Sequence, residues 1–137
     1  MVQQRLPMSA DDLVVPRTGA TVLVVEDEVL IAMDREDCLI ELGFTVIGPA
    51  TTVTTAMKLL AEHHPDAAIL DYTLRGEAVT PVAAQLKAMG IPFIMATGRD
   101  PGMLTDTALT GIQNIGKIVD PKILKNALEG LMSEARV

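Results

Sequence analysis

Carboxylate side chains follow two apolar segments of this sequence. Glu26 and Asp27 come directly after Val22–Val25, and Asp71 comes directly after Ala67–Leu70. If these segments are neighbouring parallel strands of an open α/β sheet, their carboxyl ends meet at the crevice where such folds bind ligands. Carboxylates this close repel one another unless a hard, oxygen-preferring cation lies among them. The sequence therefore predicts a Mg²⁺ site at this edge of the sheet.

Two further polar residues follow later apolar segments. Thr97 ends the predicted fourth strand, and Lys117 stands just past the fifth. Neighbouring strands lie about 4.8 Å apart, so the hydroxyl of Thr97 and the long side chain of Lys117 can both reach Asp71. A carboxylate nucleophile, a metal ion, a hydroxyl and an ammonium together suit phosphoryl transfer, because the cations neutralise the phosphoryl oxygens.

Strand-like and helix-like segments alternate through the chain. Strands are predicted at about 21–26, 44–47, 67–70, 92–96 and 112–115. Helices are predicted at about 28–42, 52–63, 79–89 and 101–109, with a last one that begins at Asp120-Pro121. The near-continuous apolar strands predict a parallel sheet covered by helices on both faces, with right-handed crossovers. Asp34 and Arg35 interrupt the apolar face of the first helix, and a loop is expected through Arg75-Gly76-Glu77.

Length and composition limit the classes of protein that fit. A chain of 137 residues that is 49% hydrophobic and 21% charged predicts one globular domain, here at 20–137 after a tail at 1–19. The formal charge of −7 argues against a nucleic-acid surface. No apolar stretch of bilayer length and no signal peptide is present, so no membrane contact and a cytoplasmic location are expected. The lone Cys38 is expected to be a small buried hydrophobe.

These motifs, in this order and spacing, are similar to those of the receiver domains of two-component response regulators. The resemblance covers about 20–134 and is carried by Val22–Glu28, Ile69–Asp71, Ala96–Gly98 and Lys117. It implies a flavodoxin-like (βα)5 doubly wound parallel sheet with strand order 2-1-3-4-5.

The resemblance also implies roles for the acidic residues. Asp71 would accept a phosphoryl group from the phosphohistidine of a histidine kinase. Asp27 would bind Mg²⁺ together with Asp71 and the backbone carbonyl of Thr73, and Glu26 would act mainly through water. Such a chain is a phosphoacceptor that catalyses its own phosphotransfer and autodephosphorylation, and it is not an enzyme in the ordinary sense.

Thr97 would turn toward the phosphoryl group, and Lys117 would pair with it. Two positions nevertheless depart from the family pattern. Receivers usually have proline after the lysine, where this chain has Ile118, and an aromatic residue three places before it, where this chain has Asn114. A rotating aromatic ring therefore cannot be the switch, and we expect the loop and short helix at about 98–108 to reorder instead.

The segment Pro92–Gly98 resembles the FAT-GUY subgroup of receivers, which often serve kinases of the HWE class. The expected partner is thus a sensor histidine kinase, with the HWE class as one candidate, or a histidine phosphotransfer protein. Because the last helix ends near Val137, we predict a stand-alone receiver without an output domain. It would signal by protein contact, or act as a phosphorelay intermediate or phosphate sink, and a homodimer is an open alternative.

Two other functions remain open at this point. Asp71-Tyr72-Thr73 fits the nucleophile motif of haloacid-dehalogenase phosphatases, although those enzymes place the nucleophile after the first strand and the other acids late. A receiver-like module that binds a partner without being phosphorylated is the second alternative. Arg99 is either an exposed loop cation or a shield of the phosphoryl group against water.

Overall fold

The main sheet is parallel and has four strands. The computed structural model describes residues 19–98 and 107–135. The strands are β1 (Thr21–Val25), β2 (Thr45–Ala50), β3 (Ala67–Leu70), β4 (Thr73–Leu74), β5 (Glu77–Ala78) and β6 (Phe93–Met95). The main sheet has the order β2-β1-β3-β6, and all its neighbouring pairs are parallel. This order confirms the predicted flavodoxin-like α/β class.

The predicted fifth strand is reduced to one residue pair. Asn114 pairs in parallel with Met95. The N–H of Met95 donates to the carbonyl of Gln113 at 2.8 Å, and the N–H of Ile115 donates to the carbonyl of Met95 at 2.9 Å. Gly116, with φ +87°, then turns the chain and ends the pairing. The fifth position of the order 2-1-3-4-5 is therefore occupied, but by a bridge and not by a strand.

The helices lie close to their predicted positions. They are α1 (Val29–Glu41), α2 (Val53–Glu62), α3 (Thr80–Ala88) and α4 (Pro121–Ala135). The predicted cap of the last helix is confirmed, because Oδ1 of Asp120 accepts a hydrogen bond from the N–H of Lys122 at 2.8 Å. None of the helices in the described part of the chain is both long and apolar enough to cross a membrane.

Some predicted features lie outside the described residues. They are residues 1–18 of the N-terminal tail, Arg99, and most of the loop and helix expected at about 98–109. At the end of that segment, Thr107–Leu109 forms a short 3₁₀ turn instead of the end of an α-helix.

Helices cover both faces of the sheet. Leu23 and Val25 of β1 pack on one side, in a core that includes residues of α2 and α3. Val22 and Val24 pack on the other side with residues of α1 and α4. Alternate side chains of a strand point to opposite faces, so β1 is buried on both. This explains why its sequence is continuously apolar.

Two local features differ from the predictions. The expected loop at 75–77 contains a hairpin, in which β4 and β5 pair antiparallel around Arg75 and Gly76. Both turn residues have positive φ, 50° and 84°, as two-residue hairpin turns of this kind require. Cys38 is only half-buried. Arg35 interrupts the apolar face of α1 as noted, yet its side chain is buried.

Candidate functional site

The ends of β1 and β3 bring three acidic residues together. Val25 and Leu70 are paired in register, so Glu26 and Asp71 follow side by side. The N–H of Asp71 donates to the carbonyl of Val25 at 2.9 Å. One carboxylate oxygen from each of Glu26, Asp27 and Asp71 lies within 4.8 Å of those of the other two. The predicted acids therefore converge.

A close approach of β1 and β2 helps to hold Glu26. Its N–H donates to the carbonyl of Ala50 at 2.9 Å, just after the pairing of the two strands becomes irregular. Gly48 makes this approach possible, because a Cβ there would lie 2.8 Å from the nitrogen of Ala50 and 2.9 Å from the carbonyl oxygen of Val24. Its φ of +98° also favours glycine.

The ammonium of Lys117 lies among the carboxylates. Its Nζ is 2.6 Å from Oδ2 of Asp71, 2.9 Å from Oε1 of Glu28 and 3.2 Å from Oε2 of Glu26. Burial lowers the pKa of Lys117, but hydrogen bonds to these three carboxylates more than offset it, so that its pKa is raised above the usual value. Lys117 is therefore charged at neutral pH.

Glu26 is fully buried, and both of its carboxylate oxygens have partners. Oε1 lies 3.5 Å from Nη1 of Arg35, and Oε2 accepts hydrogen bonds from Lys117 and from the N–H of Glu28. Burial raises the pKa of Glu26; the Glu28 N–H lowers it, the negative charge of Asp71 raises it, and Lys117 lowers it, with a net increase. This carboxylate is held by protein groups on both sides.

Main-chain amides orient the other two acids. The N–H of Arg75 donates to Oδ2 of Asp27, and the N–H of Tyr72 donates to Oδ1 of Asp71, each at 2.8 Å. Arg75 is the turn residue with φ 50°, so the hairpin after β3 places its amide against Asp27. Thr73 begins β4 two residues after Asp71.

Thr97 is buried at the same edge of the sheet, one strand from Asp71. The preceding N–H, that of Ala96, donates to the carbonyl of Leu70 at 2.8 Å and keeps the end of the chain after β6 against β3. The N–H of Thr97 donates to Oδ1 of Asn114 at 3.2 Å. The predicted side chains therefore lie at one edge, namely those of Glu26, Asp27, Asp71, Thr97 and Lys117.

The charges of this cluster do not balance. It contains four carboxylates and two cations, namely Glu26, Asp27, Glu28 and Asp71 with Arg35 and Lys117. Two negative formal charges are left over. Carboxylate oxygens at this spacing fit a hard divalent cation such as Mg²⁺, which would neutralise them.

Three residues of the site were not recognised in the sequence. Glu28 follows the acid pair and was visible there, but it was taken as the start of a helix. Arg35 was noted only as a defect in an apolar helix face, and a charged residue in such a face is a usable signal of a buried partner. Asn114 was noted only for the aromatic residue it replaces.

The fold and this cluster together define a receiver-type α/β domain, with an aspartate, further acids and a lysine at the carboxyl edge of a parallel sheet. The chain belongs to the receiver-domain family of two-component response regulators. The solution structure of SdrG from Sphingomonas melonis is 38% identical, with a TM-score of 0.72, and the match covers 84% of this chain and 98% of SdrG. The BeF3-activated conformation of SdrG from Pseudomonas melonis is 40% identical, with a TM-score of 0.68, over 82% of this chain and 95% of that one.

Curated relatives agree with this family. The transcriptional regulatory protein PdtaR of Mycobacterium tuberculosis is 33% identical over 92 residues, which are 66% of this chain and 43% of PdtaR. The phyllosphere-induced regulator PhyR of Methylorubrum extorquens is 37% identical over 87 residues, which are 61% of this chain and 33% of PhyR. The chain thus spans less than half the length of either relative. No family model matches it.

Membership of this family excludes one of the alternatives that the sequence left open. A receiver domain with this strand order is not a haloacid-dehalogenase phosphatase, in which the nucleophile follows the first strand. The narrower FAT-GUY resemblance stays a prediction.

Proposed function

We propose that this chain accepts a phosphoryl group on Asp71 from the phosphohistidine of a partner protein. The observation that supports this most is the 2.6 Å contact between Nζ of Lys117 and Oδ2 of Asp71, within a cluster that holds two more carboxylates than cations. A structural ion pair needs one acid for each base. Uncompensated carboxylates held close together cost stability, so their presence favours a site that uses them.

In the proposed reaction, a carboxylate oxygen of Asp71 attacks the phosphorus atom. The P–N bond to the imidazole breaks, its electron pair stays on the histidine nitrogen, and an acyl phosphate forms on Asp71. Negative charge on the three equatorial oxygens must be stabilised during this transfer. The ammonium of Lys117 and the hydroxyl of Thr97 are the donors that we assign to these oxygens.

We further propose that Mg²⁺ is required. Asp27, Asp71 and the main-chain carbonyl of Thr73 would hold the ion, which supplies positive charge beside the phosphoryl oxygens. Glu26 would act through water, and this role is supported by the partners that both of its oxygens already have in Lys117, Arg35 and a main-chain amide.

The phosphodonor partner would approach over α1 and the loop before α4. Leu30 and Ile118 are 82% and 93% exposed there, beside the carboxylate cluster. Between these elements lies a groove of about 720 Å³, also lined by Asp34, Asp37 and Glu41. Its apolar and acidic lining suits a helix with apolar and basic side chains, which a sensor histidine kinase, with the HWE class as one candidate, or a histidine phosphotransfer protein would supply.

We propose that this receiver domain acts in the cytoplasm. It would signal by protein contact, or pass on or drain phosphoryl groups in a relay. To move a two-state equilibrium from 1:99 to 99:1, phosphorylation must favour the active form by about 5.5 kcal/mol. The phosphoryl dianion would gain charge-assisted hydrogen bonds from Lys117 and Thr97, and these would supply most of that free energy.

Incubation with acetyl phosphate and Mg²⁺, followed by intact-mass measurement, tests the proposal. Wild type should gain one acid-stable, base-labile acyl phosphate, and Asp71→Asn should gain none. Asp37→Asn is the matched control, because Asp37 is exposed on α1. The fluorescence of Tyr72 gives a second signal of phosphorylation. Tyr72 is the chain's one tyrosine, the chain has no tryptophan, and the N–H of Tyr72 donates to Asp71.

If wild type gains no phosphate, the proposed phosphorylation is wrong. That result would favour a receiver-like module that binds a partner without being phosphorylated. Equal labelling of wild type and Asp71→Asn would place the acceptor on another residue.

A further inference from the structure

Arg35 connects three parts of the site from inside the protein. It belongs to α1, only 5% of it is exposed, and it reaches the end of β1 and the loop before α4. Nη2 donates to the main-chain carbonyl of Lys117 at 2.7 Å, and Nη1 lies 3.5 Å from Oε1 of Glu26. Burial lowers the pKa of Arg35, and an acidic partner opposes that change.

The shape of the arginine side chain matters for this pair of contacts. A guanidinium holds its donors in a rigid planar fork, so one group can bind two acceptors at fixed separation. A lysine ammonium at the end of a flexible stem is a point charge. Lysine at this position would keep the charge next to Glu26 but would not hold both acceptors in the same geometry.

The loop that receives this contact has little regular structure. Lys117 lies between the single-residue bridge at Asn114 and the start of α4, and no described strand or helix includes it. Gly116 before it has φ +87°, and Ile118 after it is almost fully exposed. The hydrogen bond from Arg35 therefore ties an irregular main chain to a regular helix.

We propose that Arg35 is a positioning residue, which fixes the main chain of Lys117 against α1 so that the ammonium stays beside Asp71. During phosphorylation only the Lys117 side chain would then move, from the carboxylates to the phosphoryl oxygens. This inference rests on the proposed function, because it assigns to Lys117 a role in the transfer. Arg35 has no hydrogen bond to Asp71 and acts through Lys117.

Labelling kinetics test the proposal. With acetyl phosphate at saturating Mg²⁺, Arg35→Leu should label about tenfold more slowly than wild type, as expected for losing a hydrogen bond to a charged group. Arg35→Lys should give a smaller loss. In a Lys117→Ala background, Arg35→Leu should cause no further slowing, because the residue through which it acts is gone. Full additivity of the two substitutions would overturn the proposal.

A structural readout and a stability control separate positioning from folding. The Lys117 carbonyl and the Ile118 N–H share one peptide group, so both Arg35 variants should shift the Ile118 amide resonance and increase its mobility in ¹⁵N relaxation. Leu39→Ala, at a buried position one turn further along α1, should lower stability without changing either readout. If Arg35→Leu does not fold, Arg35→Lys carries the test.

The outcomes distinguish the two proposals. If wild type is not labelled, the proposed function fails, while the Ile118 resonance still tests the main-chain anchor. If wild type is labelled and Arg35→Lys matches it in rate and in the Ile118 resonance, the positioning role of Arg35 is wrong.

Discussion

The side-chain oxygen of Asn114 accepts a hydrogen bond from the main-chain N–H of Thr97 at 3.2 Å. It accepts another from the N–H of Gly116 at 3.0 Å. One amide thus joins the end of β6 to the loop that carries Lys117. Where the family usually has an aromatic ring, this chain has a polar link between the two residues that we assign to the phosphoryl group.

Asn114→Ala removes this link. We expect the free energy of unfolding to fall by about 1 kcal/mol, since two main-chain donors lose their acceptor and the N–H of Thr97 is partly buried. Urea unfolding measures this. Gln113→Ala is the control, because Gln113 takes part through its main-chain carbonyl. Equal stability of Asn114→Ala and wild type would show that solvent replaces the link at no cost.

Asp27→Asn should change the effect of Mg²⁺ on stability. In EDTA, the variant should be more stable than wild type by about 1 kcal/mol, since it removes a like charge while the amide oxygen still accepts from Arg75. With Mg²⁺ at 100 times its dissociation constant, wild type should gain about 2.7 kcal/mol and the variant much less.

Thermal or urea unfolding in both buffers gives these values, with the exposed Asp37→Asn as the control. If Mg²⁺ raises the free energy of unfolding of the variant as much as that of wild type, Asp27 is not a metal ligand.

Glu26 should make stability depend on pH in the absence of Mg²⁺. Its folded pKa is raised, mainly by burial, above the ordinary value of 4.5 that the unfolded chain keeps. As pH rises through 4.5 toward the raised pKa, the unfolded state releases its proton first, so wild type loses stability across that window. Glu26→Gln does not titrate and should lack this loss.

The difference in unfolding free energy between Glu26→Gln and wild type should therefore grow with pH and become constant above the folded pKa. Urea titrations at several pH values in EDTA measure it. A difference that does not change with pH would contradict the raised pKa.

Leu30→Ala and Ile118→Ala should weaken binding of the phosphodonor protein without affecting the phosphoryl transfer itself. Both side chains are exposed, so stability and labelling by acetyl phosphate should stay within about twofold of wild type. Transfer from a cognate phosphorylated kinase should become slower by about tenfold for the pair, as expected when two apolar interface contacts are lost. Ile123→Ala on α4 is the control, because Ile123 is exposed but lines a different groove. Unchanged transfer would place the kinase elsewhere.

The sequence predicted the sheet and the acidic cluster because both depend on short, strong patterns. Continuous apolar strands indicate burial on both faces, and an acid directly after such a strand must lie at the sheet edge. This reasoning placed Glu26, Asp27 and Asp71 together at one edge.

Other features were beyond such patterns. Strands of two residues, as in the hairpin around Arg75, have no measurable period, and the bridge at Asn114 depends on where Gly116 turns the chain. The inward direction of Arg35 depends on partners 9 and 82 positions away, Glu26 and Lys117, which a helical repeat does not reveal.

Lys117 and Glu26 are 91 positions apart in the sequence, although their side-chain atoms are 3.2 Å apart. Translation begins at the N-terminus, so the ribosome releases β1 and β3 with their acids well before it releases this lysine. A nascent chain that stops short of residue 117 holds its carboxylates with only one of their two counterions. The cluster is therefore completed only after residue 117 has left the ribosome, and shorter translation products lack its second cation.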